Sequence, residues 1–541
     1  MTDRRTALGL AAVVLLWLAL APLGLDWGLP NARSWSNDDI APKFPLQAPG
    51  EWRSGTDKYP YLQAFIDRAI YTPALRAWAA EGSFDPGCPA GKTRCFQRPH
   101  AQLGHLIRLS RLRSLAMGLG LILVLAALAW RLYGDRRAAV LAALAAATTQ
   151  VLVFFGRMGN LDLPQTFWFL LSILALERLL RRGDRRGYWA FGILGACAIG
   201  TKDGIVGAYV LPALLVLAVH AGRARRAARA EGGAVWRRFL DARMLGLVIG
   251  LFGSYALIMN PVFNPAGFRG HLDHWLVGEG IKGYNQDFEG SWALLLETVY
   301  RVRESQGWPL FLLSGVGIGL GLVRRPRQTA WLLLPASSYV LFTILPIHFV
   351  YNRFVLPLAA LLAVPAGLAA AWLWGQTGRR AWLARPVVAL AFAYSLLYAL
   401  NMLLGMQGDT RYAAEAFLRE TVPVEAVIHT LGPEEYLPRV DWLGFAREQT
   451  MNWDELGAGY PLDPGPEAKT GVPDYVVLSD KSWPRRADAE RPILDRLLSG
   501  EAGYAVVFDQ ERRPALQAWL PGAWMELRVS PRIVILARDR D

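Results

Sequence analysis

Five short clusters of charged and aromatic residues carry the chemistry available to this chain. The first is Trp35-Ser36-Asn37-Asp38-Asp39-Ile40, with two carboxylates side by side. Paired carboxylates at a poorly solvated surface split in pKa, so that one suits a general base while the other orients a hydroxyl or a metal. An Asn-Asp-Asp run is also an ordinary turn or helix cap, and alone it decides nothing. The other four are Asp57-Lys58-Tyr59-Pro60-Tyr61-Leu62, Arg157-Met158-Gly159-Asn160-Leu161-Asp162, Gly200-Thr201-Lys202-Asp203-Gly204 and His348-Phe349-Val350-Tyr351-Asn352-Arg353. They offer the cations Lys58, Arg157, Lys202 and Arg353, the carboxylates Asp162 and Asp203, and the rings of Tyr59, His348 and Tyr351.

The elements that must position these groups are transmembrane helices. Of 541 residues, 53% are hydrophobic and 19% charged, with 21 tryptophans, which is more apolar surface than a soluble fold conceals. The net charge of +13 does not mark a nucleic-acid binder, because Lys and Arg punctuate apolar runs instead of gathering on a soluble module. Runs long enough for about 30 Å of hydrocarbon fall near 7–25, 114–132, 138–155, 163–180, 187–201, 204–221, 244–261, 309–323, 329–345, 354–376 and 386–406. That predicts about eleven spans, the first a retained signal anchor. Every second connection is rich in arginine, as in Arg131 to Arg137, Arg178 to Arg186 and Arg223 to Arg243. The positive-inside rule makes those connections cytoplasmic and the N-terminus cytoplasmic. All five clusters then lie on the opposite face. Ionisable groups at membrane depth are costly and usually face a cavity or a partner, so together they predict one shared polar cavity. Singly each has a local reading: Arg157 snorkels, Lys202 pairs with Asp203, Arg353 anchors a helix at the headgroups.

The outer segments divide the chain into a transmembrane domain, 1–406, and an extracytoplasmic α/β domain, 407–541. Short apolar runs at 426–429, 475–478, 504–508 and 533–536, separated by Pro and Gly turns, predict the strands of that second domain. The loop 26–113 holds an amphipathic stretch, Tyr61 to Trp78, suited to the membrane surface, and also Cys88 and Cys95, a candidate disulfide. In the loop 262–308, His271 and His274 share a helix face and are weak candidate ligands for a divalent ion with Asp273 or Glu279; a solvated loop pair is the plainer reading. No cofactor is required by the residues, and a divalent metal stays open.

In order, the acidic pair, Lys-Tyr-Pro-x-Leu, Arg-x4-Asp, Thr-Lys and aromatic-Asn-Arg-Phe-x-Leu-Pro elements resemble those of the C-type membrane glycosyltransferases. Within these the chain is similar to the branch of protein O-mannosyltransferases and the aminoarabinose transferase acting on lipid A. The resemblance covers about residues 1–410 and implies an inverting transfer, outside the cytoplasm, from a sugar on a polyprenyl phosphate. It implies Asp38 as the base that deprotonates an acceptor hydroxyl. Asp39 stands where the family usually has Glu, one methylene longer. Lys58 and Tyr59 match a Lys/Arg-aromatic-Pro-Pro-Leu element in which Tyr61 replaces the second proline. Asp162, Lys202 and Arg353 match positions lining the family's cavity, where cations would hold the donor phosphate, with Lys58 a further candidate.

The expectation is therefore a multi-pass inner-membrane enzyme whose partners are a polyprenyl-phosphate sugar, membrane lipid, and a lipid, glycan or protein acceptor, with no nucleic acid. A phosphate leaves without protonation, so one base suffices where glycoside hydrolysis needs two carboxyls. The rival readings are a secondary transporter, which also places charges in the membrane but shows paired repeats that are absent here, and a non-catalytic scaffold.

Overall fold

The computed structural model describes residues 3–32, 34–36, 39, 46, 58–88, 93–276, 288–457, 459–462, 471–484, 488–511, 516, 520 and 528–539. Asp38 and Glu279 lie outside the described residues. The chain forms two compact units, one of Met1–Pro22, Ile40–Cys95 and Leu109–Ala399, the other of Leu23–Asp39, Phe96–Arg108 and Leu400–Asp541. The second unit thus takes in two stretches ahead of the boundary expected near 407.

The first unit is helical. Each of the eleven predicted apolar runs falls on helix, but among the described residues only seven helices are long and apolar enough to cross a membrane. They are Pro99–Tyr133, Asp162–Arg182, Asp203–Glu231, Ala242–Met259, Pro326–Ile347, Leu356–Trp374 and Arg379–Thr421. An eighth arises if Gly290–Gln306 and Trp308–Arg324, bent by 115°, form one span. The shortfall from eleven has a local cause: Arg4–Leu20 has 17 residues, Arg185–Ile199 has 15, and the third run breaks at Thr149 into Arg136–Thr148 and Gln150–Phe155.

Leu356–Trp374 is apolar on all sides and almost wholly buried, the pattern of a helix surrounded by others. It packs on the alanine-rich Arg136–Thr148 and on Trp308–Arg324. Small residues allow this approach: a methyl at Gly367 would strike the backbone of Ala142, and one at Gly317 the carbonyl of Pro365. Such contacts replace the hydrophobic drive that is missing between helices in lipid. Leu62–Ala80 buries Gln63, Ala64, Asp67 and Tyr71 along one face, and Cys88 is bridged to Cys95.

The second unit is built on a five-stranded sheet of β1 (Val427–Leu431), β2 (Ala446–Thr450), β3 (Tyr475–Ser479), β4 (Tyr504–Gln510) and β5 (Ile533–Arg538). The order is β2-β1-β3-β5-β4; β1 runs parallel to β2 and β3, while β5 is antiparallel to β3 and β4. Alternation along the strands buries both faces. Ile428, Val477, Ile533 and Ile535 meet Ala414 and Leu418 of Thr410–Thr421; Val476, Leu478, Val534 and Leu536 meet Leu494 and Leu497 of Arg491–Ser499.

Candidate active site

Three helix ends in the first unit bring charged side chains together. Asp162 opens the helix Asp162–Arg182, where the aligned peptide dipoles favour a carboxylate. Lys202 follows the end of Arg185–Ile199, and its Nζ donates to Asp162 Oδ1 at 2.5 Å, with 15% and 8% of the two side chains exposed. Asn160 Nδ2 donates to the other Asp162 oxygen at 3.2 Å, and Gln165 Nε2 to the Lys202 carbonyl at 2.5 Å. The acid is therefore held from the turn before its helix and the Lys202 backbone from the helix itself.

Arg353 reaches the same place by a longer route. The 3-10 segment Asp203–Tyr209 is pinned to a π-helical stretch, Val340–Ile344, and to the turn before it. Thr343 Oγ1 donates to the Gly204 carbonyl at 2.9 Å and Ser338 Oγ to the Gly207 carbonyl at 2.5 Å. Gly207 allows this contact, since a methyl there would run into Thr343 and Phe342. The helix ends at His348, in the left-handed region at φ 51°, which turns the chain toward Arg353. Phe354 then lies under both cations, its ring 5.5 Å from Lys202 Nζ and 5.7 Å from the Arg353 guanidinium. The Tyr351 ring is 5.8 Å from the same guanidinium, and His348 stands edge-on to Phe288 at 5.9 Å.

Two further polar contacts brace this group, one a histidine–carboxylate contact and one an ion pair. His271 Nε2 lies 3.1 Å from Asp203 Oδ1, joining the helix Pro265–Leu276 to the residue after Lys202. Arg113 Nη1 donates to Asp67 Oδ1 at 2.6 Å, and Arg113 Nη2 to the carbonyls of Gly159 and Asn160 at 3.1 and 3.2 Å. Burial pushes the Asp67 carboxyl above its ordinary range against the pull of the Arg113 guanidinium. Leu62 N donates to the Gly200 carbonyl at 3.1 Å, so the Lys-Tyr-Pro-Tyr element is also tied to the Lys202 turn.

The structure thus brings Asp162, Lys202 and Arg353 around Phe354 and places Asp203 with His271. Arg157 Nη1 donates to the Val153 carbonyl at 2.6 Å, and its guanidinium lies 5.4 Å from the Trp17 ring. Lys58 is exposed, with its ammonium 5.7 Å from the Tyr59 ring. Asp39 is buried in the second unit, its amide donating to the Ser36 carbonyl at 3.0 Å. His271 meets Asp203, not His274, and among the described residues no group of three His, Cys, Asp or Glu side chains could hold a metal. Sequence reasoning missed Phe354 as the shared ring, Gln165 as the brace and the Asp67–Arg113 pair. The signal for Asp67 was its place on the buried face of an amphipathic helix, four residues from Gln63 and from Tyr71.

The charged clusters at 157–162 and 200–204 lie inside a segment that comparison with known families picks out. Residues 96–232 match the family model described as dolichyl-phosphate-mannose-protein mannosyltransferase. That agrees with the branch to which the motifs point; the acidic pair and the Asn352-Arg353 element lie outside the match. Among solved structures, the chain is similar to ArnT from Cupriavidus metallidurans bound to undecaprenyl phosphate, at 14% identity and a TM-score of 0.48, over 100% of this chain and 99% of that one. It is likewise similar to the same protein in the apo state, at 15% identity and a TM-score of 0.48, over 97% and 98% of the two chains. Likeness at that level carries no inference about activity. A search of curated proteins finds no match.

Proposed function

We propose that the chain is an integral membrane glycosyltransferase that moves a sugar from a polyprenyl-phosphate carrier to a hydroxyl of a lipid, glycan or protein on the extracytoplasmic face, with inversion. The observation that carries this reading is the placement of Lys202 and Arg353 over one aromatic ring at the ends of apolar helices, with Asp162 holding the lysine. When the sugar leaves, negative charge gathers on the phosphate. Two cations held in advance in a poorly solvated place stabilise that charge without reorganising. Asp162 neutralises one of them, so the group is not an isolated pair of like charges in low dielectric.

On the acceptor side, Asp38 is the base, with Asp39 orienting the hydroxyl. Lys58 adds a further contact to the donor phosphate, and Tyr59, Asp203, His348 and Tyr351 shape the cavity. The arginine-rich connections set the cytoplasmic face, which puts the N-terminus inside and the C-terminal domain outside.

The test is binding of a radiolabelled polyprenyl-phosphate sugar to the purified protein. Arg353→Ala should weaken binding at least about tenfold, the contribution of one charge-assisted contact, while Arg353→Lys, which keeps the charge but loses the planar fork, should fall between. Equal affinity in the wild type and Arg353→Ala would refute the phosphate clamp.

A further inference from the structure

We infer that the C-terminal unit is the positioning device for the first acidic loop: two carboxylate-locked arginines, Arg411 and Arg439, clasp the Trp35 indole and so anchor Trp27, Gly28, Pro30 and Trp35, the residues that lead to Asp39. This rests on the reading that the first-loop carboxylates activate the acceptor.

Each arginine spends its fork on one buried acid. Arg411 Nε and Nη2 donate to the two Asp409 oxygens at 2.8 and 2.7 Å, with neither side chain exposed. Arg439 Nε and Nη2 donate to the two Glu415 oxygens at 2.8 and 2.6 Å, with 4% and 5% exposed. A guanidinium held edge-on in this way keeps its flat faces for aromatic rings. Arg411 lies 4.0 Å and Arg439 5.2 Å from the Trp35 ring, and Tyr412 packs on the same ring at 4.8 Å.

The grip extends along the loop. Trp27 Nε1 donates to Asp409 Oδ2 at 2.9 Å, Gly28 N to the Tyr412 hydroxyl at 3.0 Å, and Arg439 Nη1 to the Pro30 carbonyl at 3.2 Å. Gly28 sits at φ +72°, and a methyl there would strike the Trp35 ring, so glycine lets the indole lie against the turn. Ser34 and Ser36 then close a local turn, with Ser34 Oγ donating to the Ser36 carbonyl at 2.7 Å, and the Asp39 amide donates to that same carbonyl at 3.0 Å.

Simple packing does not ask for this arrangement. Burying ionised pairs costs desolvation that apolar side chains of the same size avoid, so such pairs are weak sources of stability. What they supply is one allowed geometry. A surface loop is mobile by default, whereas a base must be held within roughly 0.5 Å of its working place. The clasp turns a loop into a fixed mount.

The experiment combines hydrogen exchange over residues 26–39 with kinetics on a radiolabelled polyprenyl-phosphate sugar, using the full-length protein. In Arg439→Ala, exchange in the loop should rise at least about tenfold while β1, β3 and β5 keep their protection. At the same time kcat should fall at least about tenfold, with the donor KM within about twofold, because the clamp residues Lys202 and Arg353 are unaltered. Arg439→Lys should recover part of the loss. Should Arg439→Ala unfold the sheet, Trp35→Phe, which leaves both ion pairs intact, carries the same expectation at a smaller amplitude. A loosened loop with unchanged kcat, or a lowered kcat with an unchanged loop, would overturn the positioning role alone. Absence of transfer by the wild type would overturn the transferase reading itself, and the positioning role with it.

Discussion

Lys202 is not a bare cation waiting for an anion. Its 2.5 Å contact with Asp162 sets its direction, and Arg353 supplies the second positive charge over Phe354. On the proposed reading, a donor phosphate meets cations that are already oriented. The pair that braces this cluster from behind is Asp67 with Arg113, of which 0% and 3% are exposed. Removing one partner of such a pair leaves a charge buried without compensation, which costs about 3–5 kcal/mol. Arg113→Met should therefore lower the thermal midpoint of the detergent-solubilised protein sharply, and adding Asp67→Asn should restore most of the loss. An unchanged midpoint in Arg113→Met would contradict that assignment. Lys202, Asp162 and Arg353 were legible in the sequence because charges at the ends of apolar runs are conspicuous. Asp67 and Arg113 were not, since 46 residues separate them and only the docking of the amphipathic helix joins them.

Among the elements, each of the eleven apolar runs fell on helix, but hydropathy did not show which of those helices are long enough to span. A break such as Thr149, extended at ψ 117°, leaves no trace in hydropathy. The four apolar runs of the C-terminal region fall on β1, β3, β4 and β5. The missed strand, β2, reads Ala446-Arg447-Glu448-Gln449-Thr450 and pairs on one side only. This edge strand is polar and so lacks the signal that betrays the others, whereas β4, at the opposite edge, keeps its apolar run. The central strand β1 carries His429, buried between the Thr450 hydroxyl at 2.8 Å and the Tyr460 hydroxyl at 3.0 Å. Burial pulls its pKa down from 6.5 to about 4. Between those values the unfolded chain holds a proton that the folded one excludes, so stability falls as the pH drops from about 6.5 toward about 4, by about 3 kcal/mol in all. Relative to the intrinsic exchange rate at each pH, the protection of the β1 and β3 amides should fall between pH 7.5 and 4.5 in the wild type and much less in His429→Gln. The same fall in protection in both proteins would show that another group is responsible.

At the scale of the whole molecule, composition and the alternation of arginine-rich connections were enough to read a multi-span membrane protein with a small α/β unit near its C-terminus. What they could not show is that residues 23–39 and 96–108 join that unit. Trp27, Gly28, Pro30 and Trp35 are held there by partners more than 350 residues away in sequence, such as Asp409, Tyr412 and Arg439. Polar loops with glycine and proline carry no periodicity that would announce such long-range pairing. The acidic loop is thus chain from the start of the sequence mounted on residues near its end.

The most direct test is transfer itself, measured as label passing from a polyprenyl-phosphate sugar to cell-envelope acceptors by the purified protein and by its Asp38→Asn variant. The wild type should transfer label, and Asp38→Asn should lose about a hundredfold or more, the lower bound for a general base, while still inserting and binding donor. No transfer by the wild type from any polyprenyl-phosphate pentose or hexose, or equal transfer by both proteins, would contradict it.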